Sequence, residues 1–159
     1  MDVWVIGVGK IKERYIADGL AEFQKRLKAY TSFRIIEVPD ERAPEGLSRK
    51  EEDLVRAREA ERILRHIKPG HTVAALDLKG QMITSEGLAD LMEKWALSGR
   101  SDIAFVIGGS LGLHQSVLER ADVILSFGRV TFPHQLMRLI LLEQIYRVFK
   151  ISRGEPYHK

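Results

Sequence analysis

Apolar residues follow two alternating rhythms along the chain. Val3–Val8 is a short β-branched run, ended by Gly7 and Gly9, and reads as a buried strand. Tyr15, Ile16, Leu20, Phe23, Leu27 and Tyr30 then recur at helical spacing, which predicts a helix over Lys12–Tyr30. Phe33–Val38 is a second strand, closed by Pro39, and "DERAPEGL" is a loop. Ser48 opens the next helix: Ser48 and Glu51 have capping-box spacing, and Glu51, Glu52 and Asp53 favour the positive end of the helix dipole. It should run to about Ile67 and stop at Pro69-Gly70, with "RKEEDLVRAREAER" as a solvated face.

The alternation continues. His71–Leu78 is a third strand ended by Lys79-Gly80, Ser85–Leu97 a helix followed by Gly99, and Asp102–Ile107 a fourth strand. A short helix over about His114–Arg120 precedes a fifth strand, Asp122–Ser126. The loop "FGRVTFPH" leads to a long helix, His134–Ile151, and the chain closes on "SRGEPYHK". Strand and helix in strict succession predict an α/β fold, a mostly parallel sheet with helices on both faces. Ligands of such sheets sit at the carboxyl ends of the strands. Three loops therefore become candidates together, at Leu76-Asp77, at Gly108-Gly109 and at Phe127.

Composition acts mainly by exclusion. The 159 residues, 45% hydrophobic and 30% charged, suit one domain spanning 1–159. Cysteine is absent, which removes disulfides, thiolate metal sites and thiol nucleophiles. The N-terminal apolar run is too short for a signal peptide, and no stretch reaches the roughly 18 apolar residues of a membrane span; a cytoplasmic location is expected. The net charge is only +3, but Arg138, Arg147, Lys150, Arg153 and Lys159 face only Glu143 and Glu155 over the last helix and tail. A basic end of this kind is compatible with a phosphate backbone or with a solvated helix face.

No standard phosphate or metal motif fits. "GVGK" at Gly7–Lys10 follows a strand, but the third glycine of G-x-G-x-x-G would fall on Lys12. The five histidines lack ligand spacing, so no metal is expected, and Ser110 lacks the G-x-S-x-G elbow of serine hydrolases. "FVIGGSLGLH" places three glycines in five residues after a buried strand. Bare backbone there would let a ligand approach closely, Gly108 and Gly109 leaving no side chain in the way; a turn needing positive φ is the plainer alternative.

The last helix is apolar around most of its circumference, from Leu136 to Phe149, and must be buried on more than one side. A second subunit would bury one of those sides; a central position in a monomer is the alternative. Glu143, Arg147 and Lys150 share one face, with Glu143 and Arg147 spaced for a surface pair. His134 and Arg138 share another and need an anionic partner, either an RNA phosphate or a carboxylate of the same chain. In the tail, Tyr157 and His158 beside Arg153 could stack a base or contact phosphate.

With "LDLKG", "FVIGGSLG", "TFPHQLMR" and "YRVFKISRGEPYHK" the chain resembles, over essentially its whole length, the ribosomal large-subunit RNA methyltransferase H family. The resemblance implies a SPOUT-type fold with a deep C-terminal trefoil knot, which no compositional signal could imply. It also implies a homodimer that uses S-adenosylmethionine to methylate N3 of a pseudouridine in the large-subunit (23S) rRNA of assembled ribosomes. Matched by motif, the cofactor site falls on Leu76, on Gly108 and on Phe127, Gly128, Arg129, Val130, Thr131 and Phe132. The ring nitrogen must lose a proton, so a general base is useful. His158 is the candidate, assisted by Tyr157 and reaching across the dimer; Arg138 is grouped with them in the catalytic set. Arg138, Arg153 and His134 are expected to orient the RNA. Two other readings stay open on the residues alone: a non-catalytic dimeric ribosome-binding module, and a nucleotide-binding α/β protein.

Overall fold

A computed structural model describes all of residues 1–159. Five strands, β1 (Asp2–Val8), β2 (Ser32–Val38), β3 (Thr72–Met82), β4 (Asp102–Ile107) and β5 (Val123–Ser126), form one sheet in the order β2-β1-β4-β3-β5. All four pairings are parallel. The helices are α1 (Arg14–Leu27), α2 (Arg49–Leu64), α3 (Ser85–Leu97), α4 (Gln115–Arg120) and α5 (His134–Ser152).

The β-branched runs become central strands because both of their faces are covered. In β1, Val3 and Val5 enter a core with α1, α3 and α5, while Trp4, Ile6 and Val8 enter a second core with α2 and α4. In β4, Ile103, Phe105 and Ile107 take the first side and Ala104 and Val106 the second. The result is three layers, as the alternation predicts, with one core on each face of the sheet.

Most predicted boundaries hold within a few residues, and Ser48 accepts from the Glu51 N–H while Glu51 accepts from the Ser48 N–H. The third strand departs from prediction. It does not end at Lys79-Gly80 but runs on to Met82, with a break in register: Leu125 lies opposite both Leu76 and Gln81. Residues 77–80 therefore loop out, held by the Lys79 N–H donating to Asp77 Oδ1 at 2.9 Å. At Gly80 a Cβ would meet the Leu125 carbonyl carbon at 2.7 Å, so the returning segment lies directly on the backbone of β5.

The apolar girth of α5 has a cause inside the chain. The helix lies between α1 and α3 on one face of the sheet. Leu141, Leu142 and Ile145 are buried, and Leu139 lies so close to Gly19 of α1 that a Cβ there would meet it at 2.9 Å. The sheet, α1 and α3 thus cover much of the helix without a second subunit, and Leu136, Ile140 and Glu143 are among the residues left half-buried. No helix is long and apolar enough to cross a membrane.

Candidate active site

The register break of β3 after Leu76 and the carboxyl ends of β4 and β5 open onto one cleft of about 1010 Å³. Its walls include Leu76 and Ile107, the Gly108–Leu113 loop, and Phe127, Gly128, Val130, Thr131 and Phe132. Of the residues expected to hold a cofactor, all but the exposed Arg129 line this space. His134 lines it too, at the start of α5. The segment after β5 is pinned at its root, where the Ser126 hydroxyl donates to the Gly128 carbonyl at 2.8 Å and Gly128 takes a φ of 137°.

The glycine loop lines the cleft and is also shaped by its own packing. A Cβ on Gly108 would lie 2.6 Å from the Gly112 carbonyl carbon, and one on Gly109 3.1 Å from Glu59 Oε1 and from Val8 Cγ1. Packing across the loop leaves no room for a side chain at Gly108, and packing behind it leaves little at Gly109. Positive φ falls on Gly112, at 84°, where the loop closes by a bridge to Gly109.

Arg138 is only 1% exposed. Its Nη1 donates to Glu37 Oε2 at 2.7 Å and its Nη2 to the carbonyls of Val8 and Gly9 at 3.2 and 3.1 Å. Burial pushes its pKa down and Glu37 opposes that. The partner of this guanidinium is therefore a carboxylate of the same chain, and its place in the interior corrects the expectation that it reaches RNA: it ties α5 to the end of β1. His134, next to Gly9 and Asp40, is held below its ordinary pKa by burial and by the Arg138 cation, against Asp40. It therefore favours the neutral imidazole.

The tail folds back on its own helices. Tyr157 donates its hydroxyl to Glu143 Oε1 at 3.1 Å and packs edge-on against Tyr146; burial and Glu143 raise its pKa. His158 Nδ1 lies 3.1 Å from Arg147 Nη1, and Nε2 lies 2.6 Å from Glu86 Oε1. Arginine can only donate, so Nδ1 accepts and Nε2 carries the proton. Arg153 is exposed, its guanidinium 4.6 Å from the centre of the Tyr30 ring. Tyr157, His158 and Arg153 do not line the cleft of their own chain.

Several participants were invisible in the sequence. Arg56 and Lys79 line the cleft as its fixed cations, and Glu37 and Glu86 hold Arg138 and His158. Arg56 and Glu59 both belong to the charge run expected to face solvent, yet Glu59 is 4% exposed. Arg62 of the same run pairs with Glu41.

A fully parallel sheet, two buried cores and a cleft assembled from three adjacent strands define the class. Residues 1–158 match the family described as "Predicted SPOUT methyltransferase", and the chain belongs to that family. Within it, the chain is 58% identical over 159 residues to "Ribosomal RNA large subunit methyltransferase H" of Carboxydothermus hydrogenoformans. It is 57% identical over 159 residues to the protein of the same name from Alkaliphilus oremlandii. Both alignments cover all of this chain and all of the relative.

Proposed function

We propose that this protein is an S-adenosylmethionine-dependent methyltransferase of the cytoplasm. Its target is N3 of a pseudouridine in the 23S rRNA of assembled ribosomes, and it acts as a homodimer. The observation that carries this reading is the meeting of Leu76, Gly108 and the Phe127–Phe132 segment in one cleft, in a chain so similar to two rRNA methyltransferases. The residues fit the cofactor. Leu76, Ile107, Leu125 and Phe127 offer apolar walls for a purine, and the backbone of the two loops offers hydrogen-bonding groups for its edges. A C-terminal trefoil knot belongs to the same reading.

When bound, S-adenosylmethionine would supply a methyl group already activated by its sulfonium. The chain's own task is to hold the ring nitrogen in line and to take its proton. His158 takes that proton on Nδ1, exchanging Arg147 for the substrate, while Glu86 holds the ring at Nε2. Because the tail does not line its own cleft, His158 serves the cleft of the partner. Exposed Leu78 and Val130 at the cleft mouth suit such a subunit contact. Arg153 and His134 orient the RNA, and Arg138 acts as a positioning residue through the Gly7–Gly9 turn.

Calorimetric titration with S-adenosylmethionine tests the cofactor reading; absence of binding would remove it. The His158→Ala variant is expected to lose about 10²- to 10⁴-fold in turnover while cofactor affinity stays near that of the parent. Unchanged turnover would dismiss His158 as the base.

A further inference from the structure

Glu59 is a buried carboxyl group that the proposed chemistry does not use. It is 4% exposed and forms no ion pair. Oε2 accepts one N–H, from Glu41 at 3.0 Å, and Oε1 has no partner. The groups that face it are mostly of the wrong sign. Asp40 and Glu41 approach from the loop after β2, and Arg62, one turn along α2, is tied to the Glu41 carboxylate and the Pro39 carbonyl. β1 brings only the Val8 side chain, and β4 is followed by Gly109. A buried carboxylate without a cation is costly, and each such group calls for an explanation.

The place of Glu59 supplies one. Gly109 lines the cleft, and a Cβ built on it would lie 3.1 and 3.2 Å from the two Glu59 oxygens. One thickness of backbone, without a side chain, separates the carboxyl group from the cleft. We propose that Glu59 is a specificity determinant, whose charge behind the glycine loop favours a cationic methyl donor over its neutral demethylated product. The inference rests on the cofactor reading above. S-adenosylmethionine carries a sulfonium that S-adenosylhomocysteine lacks, so the two differ by one positive charge at nearly equal shape. A carboxylate acting through a thin layer of protein distinguishes them by Coulomb attraction. The same contrast loosens the product once the methyl group has left.

The preference has a pH signature. Burial pushes the Glu59 carboxyl up, Asp40 and Glu41 add to this, and the Glu41 N–H and Arg62 oppose it. As the proton leaves, affinity for the cation rises and affinity for the neutral thioether does not. His134 at the cleft has the same sign, so the comparison must be made against a neutral isostere.

Calorimetry with both ligands, from about pH 5.5 to 8.5, on the full-length parent, Glu59→Gln and Glu59→Asp tests this. The parent should show a preference for S-adenosylmethionine that grows with pH, reaching about tenfold more than in Glu59→Gln. Glu59→Gln should keep its affinity for S-adenosylhomocysteine, and Glu59→Asp should restore the preference. Equal preference in parent and Glu59→Gln at every pH would overturn the inference, as would loss of both ligands by Glu59→Gln, the mark of a purely structural role. A parent that binds neither ligand would instead overturn the cofactor reading itself.

Discussion

Arg138 and Gly7 depend on each other. A Cβ on Gly7 would lie 2.6 Å from Arg138 Nε and Nη2, so the turn after β1 is shaped around a guanidinium. Removing that group strands two backbone carbonyls and opens a hole beneath the turn. Arg138→Ala should therefore cost about 3–5 kcal/mol in urea unfolding, and a lysine, without the planar fork, should recover only part of it. A loss below about 1 kcal/mol would contradict the interior role. Two histidines give a pH test. His71, edge-on to Trp4 with ring centres 4.6 Å apart, and His134 are both held below the ordinary value of 6.5 by burial. A depressed histidine binds fewer protons folded than unfolded, so its stability is intact above 6.5 and is lost as pH falls below it. The urea midpoint should drop between pH 6.5 and its acid limb, and His71→Gln should flatten that drop. Glu59 has the opposite sign: its raised pKa makes the parent lose stability as pH rises above the carboxyl range, and Glu59→Gln should remove the slope.

At the scale of elements, α2 and β3 carry the sharpest tests. The Ser48–Glu51 capping box satisfies donors that water alone would otherwise serve, and Ser48→Ala should lower stability by about 1 kcal/mol. Gly80→Ala forces a methyl group to 2.7 Å from the backbone of β5, and thermal unfolding should register a larger loss than that of the cap. The strands β1 and β4 were legible because each is apolar on both faces, and α2 because its cap is written in two residues. The continuation of β3 was not, since residues 81–82 pair only after a looped-out turn, which leaves no period in the sequence. The cleft was legible through its loops. The reason for the glycines was not, because Glu59 and Gly112 reach them through the fold. Likewise a charge run gives no sign of which acid turns inward, and a helix apolar all round does not say whether a neighbour helix or a second subunit covers it.

At the scale of the molecule, the proposed transfer requires two chains. Cleft and tail lie apart within one chain, with His158 held between Arg147 and Glu86. Mixing His158→Ala subunits with subunits whose cleft is blocked, for example by Thr131→Trp at the exposed rim, should restore activity that neither has alone. Each mixed dimer joins an intact cleft to an intact tail. Activity that stays absent after mixing would place the base within its own subunit. The central claim is the transfer itself, and the most direct test follows labelled methyl from S-adenosylmethionine to assembled ribosomes, free large subunits and bare rRNA. The account predicts label in 23S rRNA, on N3 of a pseudouridine, with assembled ribosomes the best substrate. Label in none of the three, or label on a base other than a pseudouridine, would contradict it.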